Sequence, residues 1–85
     1  MARYDLLIKP SAVREIEKLP RKDRARVLRR IASLGDEARP HGCEKLSQEE
    51  KYRVRQGSYR IIYSIDDAET TILVVKVGHR KDVYL

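Results

Sequence analysis

The stretch KYRVRQGSYRIIYSI, residues 51–65, decides the fold. Its side chains alternate with a period of two, break at Gly57-Ser58, and resume. Two alternating runs around a two-residue turn read as a β-hairpin, and Gly in the first turn position suits type II′ geometry. That turn sets Arg55 opposite Arg60, Val54 opposite Ile61 and Tyr52 opposite Tyr63. Directly opposed residues share a face of the sheet. Tyr52, Val54, Tyr59, Ile61, Tyr63 and Ile65 then face the core, while Arg53, Arg55 and Arg60 stand together on the other side. A three-residue turn pairs Val54 with Arg60 and mixes the faces, so the hydrophobic pattern rejects it.

Downstream, Asp66–Glu69 forms the next turn, and Thr70–Val77 is a third strand rich in β-branched residues. Upstream, residues 4–9 read as a short strand. Pro10-Ser11 opens a helix with Ser11 as its N-cap, Val13, Ile16 and Leu19 form its apolar stripe, and Pro20 ends it. A second helix runs from Arg21 to Leu34, with Val27, Leu28, Ile31 and Leu34 inward and Gly35 as a left-handed C-terminal cap. Asp36–Glu50 has no period and is a loop. The order predicts an α+β domain over residues 1–85: an N-terminal strand, a helical hairpin, then an antiparallel three-stranded meander, with the helices on one face of a twisted sheet.

The chain has 85 residues, and a length of that order bounds the answer to one small domain. It lacks a run near the ~18 apolar residues of a membrane span and a signal-peptide hydrophobic region, so no membrane partner is expected. A single cysteine, Cys43, excludes an internal disulfide framework and a cysteine-rich zinc site, and points to the reducing cytoplasm. The net charge of +6 is unevenly placed. Residues 1–34 carry ten Lys/Arg and four Asp/Glu, whereas residues 35–85 carry nine of each. The excess gathers in Arg21, Lys22, Arg24, Arg26, Arg29 and Arg30. Such a run serves as a solvated outer face, as steering toward RNA, or as a docking face for an acidic partner.

The arginines of the hairpin carry the more specific signal. Like charges directly opposite one another destabilise a sheet. Either acids such as Glu49, Glu50 or Asp66 neutralise them, or they form a planar, permanently charged cradle for phosphate. No glycine-rich phosphate loop and no metal-ligand cluster accompanies them, so neither cofactor nor metal is expected.

Lys45-Leu46, YRVR at 52–55, GSYRIIYSI at 57–65 and ILVVKVGHRKDVY at 72–84 resemble the RelE family of toxins from type II toxin–antitoxin modules. The resemblance implies a ribosome-dependent endoribonuclease that cuts messenger RNA in the decoding site of the small subunit and arrests translation. It also implies a RelB-like antitoxin, through which the complex could hold operator DNA. Carried over residue by residue, the resemblance assigns catalysis to Arg60, Arg80, Tyr84 and Arg53. Arg55, Lys51, His79 and Lys81 fall to RNA binding. The implied reaction is metal-free: the ribose 2′-OH attacks the adjacent phosphate, leaving a cyclic phosphate and a 5′-OH. That step needs charge stabilisation, a proton acceptor and a proton donor. Where the family often has lysine, positions 53 and 55 hold arginine, which does not deprotonate in proteins. The acceptor is therefore left open, with Tyr84 able to stack or move a proton and His79 having the best ordinary pKa for the task. Two alternatives stand beside this reading: a gyrase-poisoning toxin of the related ParE type, and a non-catalytic module that binds RNA or a partner.

Overall fold

A computed structural model of the protein describes residues 3–46 and 50–79. The elements are β1 (Asp5–Ile8), α1 (Pro10–Glu17), α2 (Arg21–Leu34), β2 (Glu44–Lys45), β3 (Lys51–Gln56), β4 (Tyr59–Asp66) and β5 (Thr71–His79). They build one five-stranded sheet in the order β1-β5-β4-β3-β2. β1 runs parallel to β5, from Asp5 beside Thr71 to Ile8 beside Val74, and every other pairing is antiparallel. The expected α+β architecture holds, with two more paired strands than the meander alone.

The core lies between the helices and one face of the sheet. Ala12 and Ile16 of α1 and Val27, Ile31 and Leu34 of α2 pack against Tyr52, Val54, Ile61, Tyr63, Ile65, Ile72, Val74 and Val77. On β3 and β4 these sheet residues belong to one alternating set, which is why a single face is dry. Each fully buried aliphatic side chain contributes about 1.5–3 kcal/mol, and Val27, Leu34, Val54, Ile61, Ile72, Val74 and Val77 are all in that state.

Several local expectations need correction. Pro10 is the first helical residue of α1 and Lys9 its cap, with no side-chain capping bond, so Ser11 lies inside the first turn. Proline suits that place because its missing N–H has no helical partner there. Gly35 is right-handed at φ −62°. Its carbonyl accepts the N–H groups of Arg3 and Tyr4, tying the end of α2 to the approach to β1. Val13 and Leu28 point outward, 38% and 43% exposed, and Ala12 takes the inward place expected of Val13. The segment 36–50 is not all loop, because Glu44 and Lys45 pair with Arg53 and Tyr52 as β2.

The link from α2 to β2 is pinned by a polar cluster. Arg39 donates to both carboxylate oxygens of Asp67, at 2.9 and 3.3 Å, and its Nε donates to the Tyr52 hydroxyl at 3.1 Å. The guanidinium also sits 5.1 Å above the centre of the Tyr52 ring, and the Tyr4 hydroxyl donates to Asp67 at 2.7 Å. Beneath them the buried Tyr63 hydroxyl donates to the carbonyl of Ala38 at 2.8 Å. Burial pushes the Tyr63 phenol up, so it stays protonated as a donor. The start of β2 therefore has a fixed origin.

Candidate functional site

The site is built on the β3–β4 hairpin, on the face turned away from the helices. Gln56 pairs with Tyr59 across Gly57-Ser58. Gly57 has φ +60° while Ser58 keeps a negative φ, the signature of a type II′ turn. The turn fixes the register, and the register sets Arg55 directly opposite Arg60, Arg53 opposite Ile62 and Lys51 opposite Ser64. Lys51, Arg53, Arg55 and Arg60 accordingly share one face, as the alternation required. Arg55 is exposed and Arg60 half-buried.

Arg53 is held by an acid on the neighbouring strand. Its guanidinium donates to Glu44 Oε2 at 2.7 Å, and its side chain is only 16% exposed against 57% for Glu44. Its Nε is buried without a hydrogen-bond partner. The acid that pairs with Arg53 is thus Glu44. Glu50 sits 3.7 Å from Lys45, the Asp66 carboxylate accepts the N–H of Glu69, and Glu49 lies outside the described residues. Glu44 reaches Arg53 because β2 is held down by Leu46, which packs on Ile62 and Val75 in a second small apolar cluster. A register shift between Ile62 and Tyr63 leaves Val75 as the extra residue of β5. The sequence did hold a signal for this cover: Ile62 alternates onto the arginine face, where an aliphatic side chain needs something apolar above it.

His79 does not join the arginines. It pairs with Tyr59, on the helix side of the sheet, and meets that ring edge-on with centroids 5.9 Å apart. The Tyr59 hydroxyl donates to Asp23 of α2 at 3.2 Å. Burial raises the Tyr59 phenol above its ordinary value, and the Asp23 carboxylate adds to that. Arg80, Lys81 and Tyr84 lie outside the described residues. Among the described residues no three His, Cys, Asp or Glu side chains converge as a metal site, and no helix is long and apolar enough to cross a membrane.

A cation-bearing hairpin backed by two helices and a parallel first strand is a specific combination, and its scaffold has known relatives. Residues 6–84 match the family model of the ParE toxin of the type II toxin–antitoxin system parDE. The chain belongs to the RelE/ParE family of type II toxins. A curated relative, Toxin RelG of Mycobacterium tuberculosis, is 34% identical over 85 residues, covering 95% of each chain. Among solved structures, the toxin–antitoxin complex RelBE2 of M. tuberculosis contains a chain that superposes with a TM-score of 0.82 at 31% identity. The match covers 92% of this toxin and 99% of that chain. The archaeal RelE–RelB complex of Pyrococcus horikoshii gives 0.84 at 28% identity, covering 95% and 99%. The hairpin and its cations thus sit in a toxin fold spanning almost the whole chain.

Proposed function

We propose that this toxin is a ribosome-dependent endoribonuclease that cuts messenger RNA in the decoding site by attack of the ribose 2′-OH on the adjacent phosphate. The observation that carries the reading is the direct opposition of Arg55 and Arg60 on the open face, flanked by Lys51. Guanidiniums gathered on one face bind a polyanion laid across them through bidentate, charge-assisted hydrogen bonds. Arg60 and Arg55 hold the phosphate and its growing negative charge, because guanidiniums are charged at every accessible pH. Lys51 contacts the backbone alongside, and the family resemblance assigns Arg80 and Tyr84 to catalysis and Lys81 to RNA binding. His79 is left to support Tyr59.

The toxin is held silent by a RelB-like antitoxin, the type of partner seen with the relatives from M. tuberculosis and P. horikoshii. Exposed Leu7, Val13 and Leu28 offer apolar surface to an amphipathic segment of such a partner. The cellular place of action is the cytoplasm, where the small ribosomal subunit and its message are found, and operator DNA is reached only through the antitoxin.

The experiment is translation with purified ribosomes on a defined message, followed by mapping of RNA ends. Cuts within the decoding site with a free 5′-OH are expected. Full-length message at stoichiometric toxin sinks the reading. The match to the ParE family model favours a second reading, gyrase poisoning without ribonuclease action. It is read in parallel as cleaved DNA in a supercoiling reaction.

A further inference from the structure

Gly78 of β5 lies in the same cross-strand row as Arg55 and Arg60. We propose that Gly78 is a nucleobase subsite: the base of the nucleotide next to the bound phosphate lies flat on the bare backbone of β5, beside Arg60. The inference rests on the ribonuclease reading above and adds a substrate-binding residue to that same site.

The register places it there. Arg60 pairs with Arg55 on one side and with Gly78 on the other, so one row across β3, β4 and β5 reads Arg55, Arg60, Gly78. Opposed residues share a face, and here two guanidiniums are followed by a position with no side chain. Neighbouring strands lie about 4.8 Å apart, which sets the backbone of Gly78 one spacing from that of Arg60. A nucleoside attached to a phosphate on Arg55 and Arg60 has β5 as its next support.

The backbone does not itself ask for glycine at this place. Gly42 and Gly57 have positive φ, whereas Gly78 continues β5 in extended backbone that any residue adopts. Glycine inside a strand weakens it, and it marks either a bulge or the close approach of a ligand or another segment. The irregularity of β5 falls earlier, at Val75, opposite the step from Ile62 to Tyr63. Close approach over Gly78 is left.

The surroundings keep that surface open. β1 pairs with β5 only as far as Val74, so among the described residues no strand lies beyond Gly78. Lys76, opposite Ile62, is drawn to α1, with its Nζ 3.2 Å from Glu15 Oε2. The other oxygen of Glu15 accepts the Val77 N–H at 3.0 Å, which anchors β5 past the end of β1. Gly78 thus presents a fixed, half-buried peptide surface. Every base has a π-face, so stacking on such a surface does not depend on sequence. A Cβ at position 78 would stand in the plane of contact.

The test is cleavage on programmed ribosomes over a range of toxin concentrations, for wild type, G78A and G78V. Each toxin receives the ordinary message and two messages with an abasic nucleotide, on the 5′ or the 3′ side of the cut. G78V is expected to lower kcat/KM on the ordinary message about tenfold, within the range for losing one stacked base, and G78A by less. Both should melt no lower than wild type, because replacing glycine inside a strand strengthens it. For wild type, one of the two abasic messages should show a similar loss, and on that message G78V should match wild type. Substitution and base removal then act on one contact, as a double-mutant cycle reads it.

G78V as fast as wild type on the ordinary message overturns the proposal, as does a G78V loss that is equal on every message. A G78A toxin that unfolds more readily also overturns it, and makes the glycine a packing requirement of the chain itself. Wild type indifferent to both abasic messages overturns it without any variant. If wild type leaves the ordinary message intact, the ribonuclease reading fails and the subsite falls with it. That outcome is distinct from wild-type cleavage matched by G78V.

Discussion

His79 meets the ring of Tyr59 edge-on, at 5.9 Å and 81°, on the side of the sheet that carries the helices. The residue with the best ordinary pKa for proton transfer is thereby spent on packing at the end of β5. An aromatic pair of this geometry contributes about 0.5–1.5 kcal/mol beyond its area. His79→Ala is expected to lower the urea midpoint by a corresponding amount. Single-turnover cleavage should stay within a few-fold of wild type. A hundredfold loss in an equally folded His79→Ala places the imidazole in the chemistry after all.

Arg55 and Arg60 stand directly opposite each other across the β3–β4 hairpin. Replacing Arg55 with Gln removes one member of a like-charged pair, worth about 0.2–1 kcal/mol. The variant should therefore melt higher while cleaving more slowly. Arg60→Ala should slow single-turnover cleavage by about 10²–10³, the cost of losing one group that stabilises developing charge. Chemical melts and cleavage rates on the same preparations check the pair. An Arg55→Gln toxin that is both less stable and fully active removes the cradle argument.

The register of the hairpin was readable from sequence because two independent constraints agree there. Gly57-Ser58 admits a type II′ turn, and only that turn buries Tyr52, Val54, Ile61 and Tyr63 together. β2 was not readable, since two charged residues, Glu44 and Lys45, have no period of their own. That strand exists because Leu46 covers Ile62 and Val75, a tertiary contact between segments far apart in sequence. Without β2, Glu44 is not visible as the partner of Arg53, and acids closer along the chain stand in its place. Gly35 departs from expectation for a related reason. Glycine suits a left-handed cap, yet here its carbonyl is used by Arg3 and Tyr4 in a right-handed conformation.

Asp67 gives the fold a defined acid sensitivity. Its two bonds from Arg39, with that from Tyr4, hold its carboxyl below the ordinary value of 3.8. A depressed carboxylate contributes stability that is full above the unfolded value and is lost as pH falls through the folded one. Wild-type stability from this source should thus be flat down to about pH 5 and decline below the ordinary carboxylate value. Asp67→Asn should be less stable at neutral pH and show a shallower acid decline. Thermal melts between pH 7 and 3 measure both. Parallel curves for the two proteins exclude Asp67 as the sensing group.

The basic excess on α2 has a definite geometry. Lys22, Arg26 and Arg29 follow an i, i+4, i+7 spacing and are all exposed, on the side opposite buried Val27, Ile31 and Leu34. Among the described residues no acid forms a salt bridge with any of them. A solvated stripe of this kind costs repulsion with no local return, which favours a role in meeting a polyanion at a distance from the cleavage face. Each cation that neutralises a phosphate steepens the fall of log affinity with log salt by about 0.7–0.9. The triple variant K22Q/R26Q/R29Q should therefore bind ribosomes with a slope shallower by about two units, while its cleavage rate at saturation is unchanged. An unchanged slope returns the stripe to plain solvation. Weakened antitoxin binding with normal ribosome affinity assigns it to the antitoxin instead.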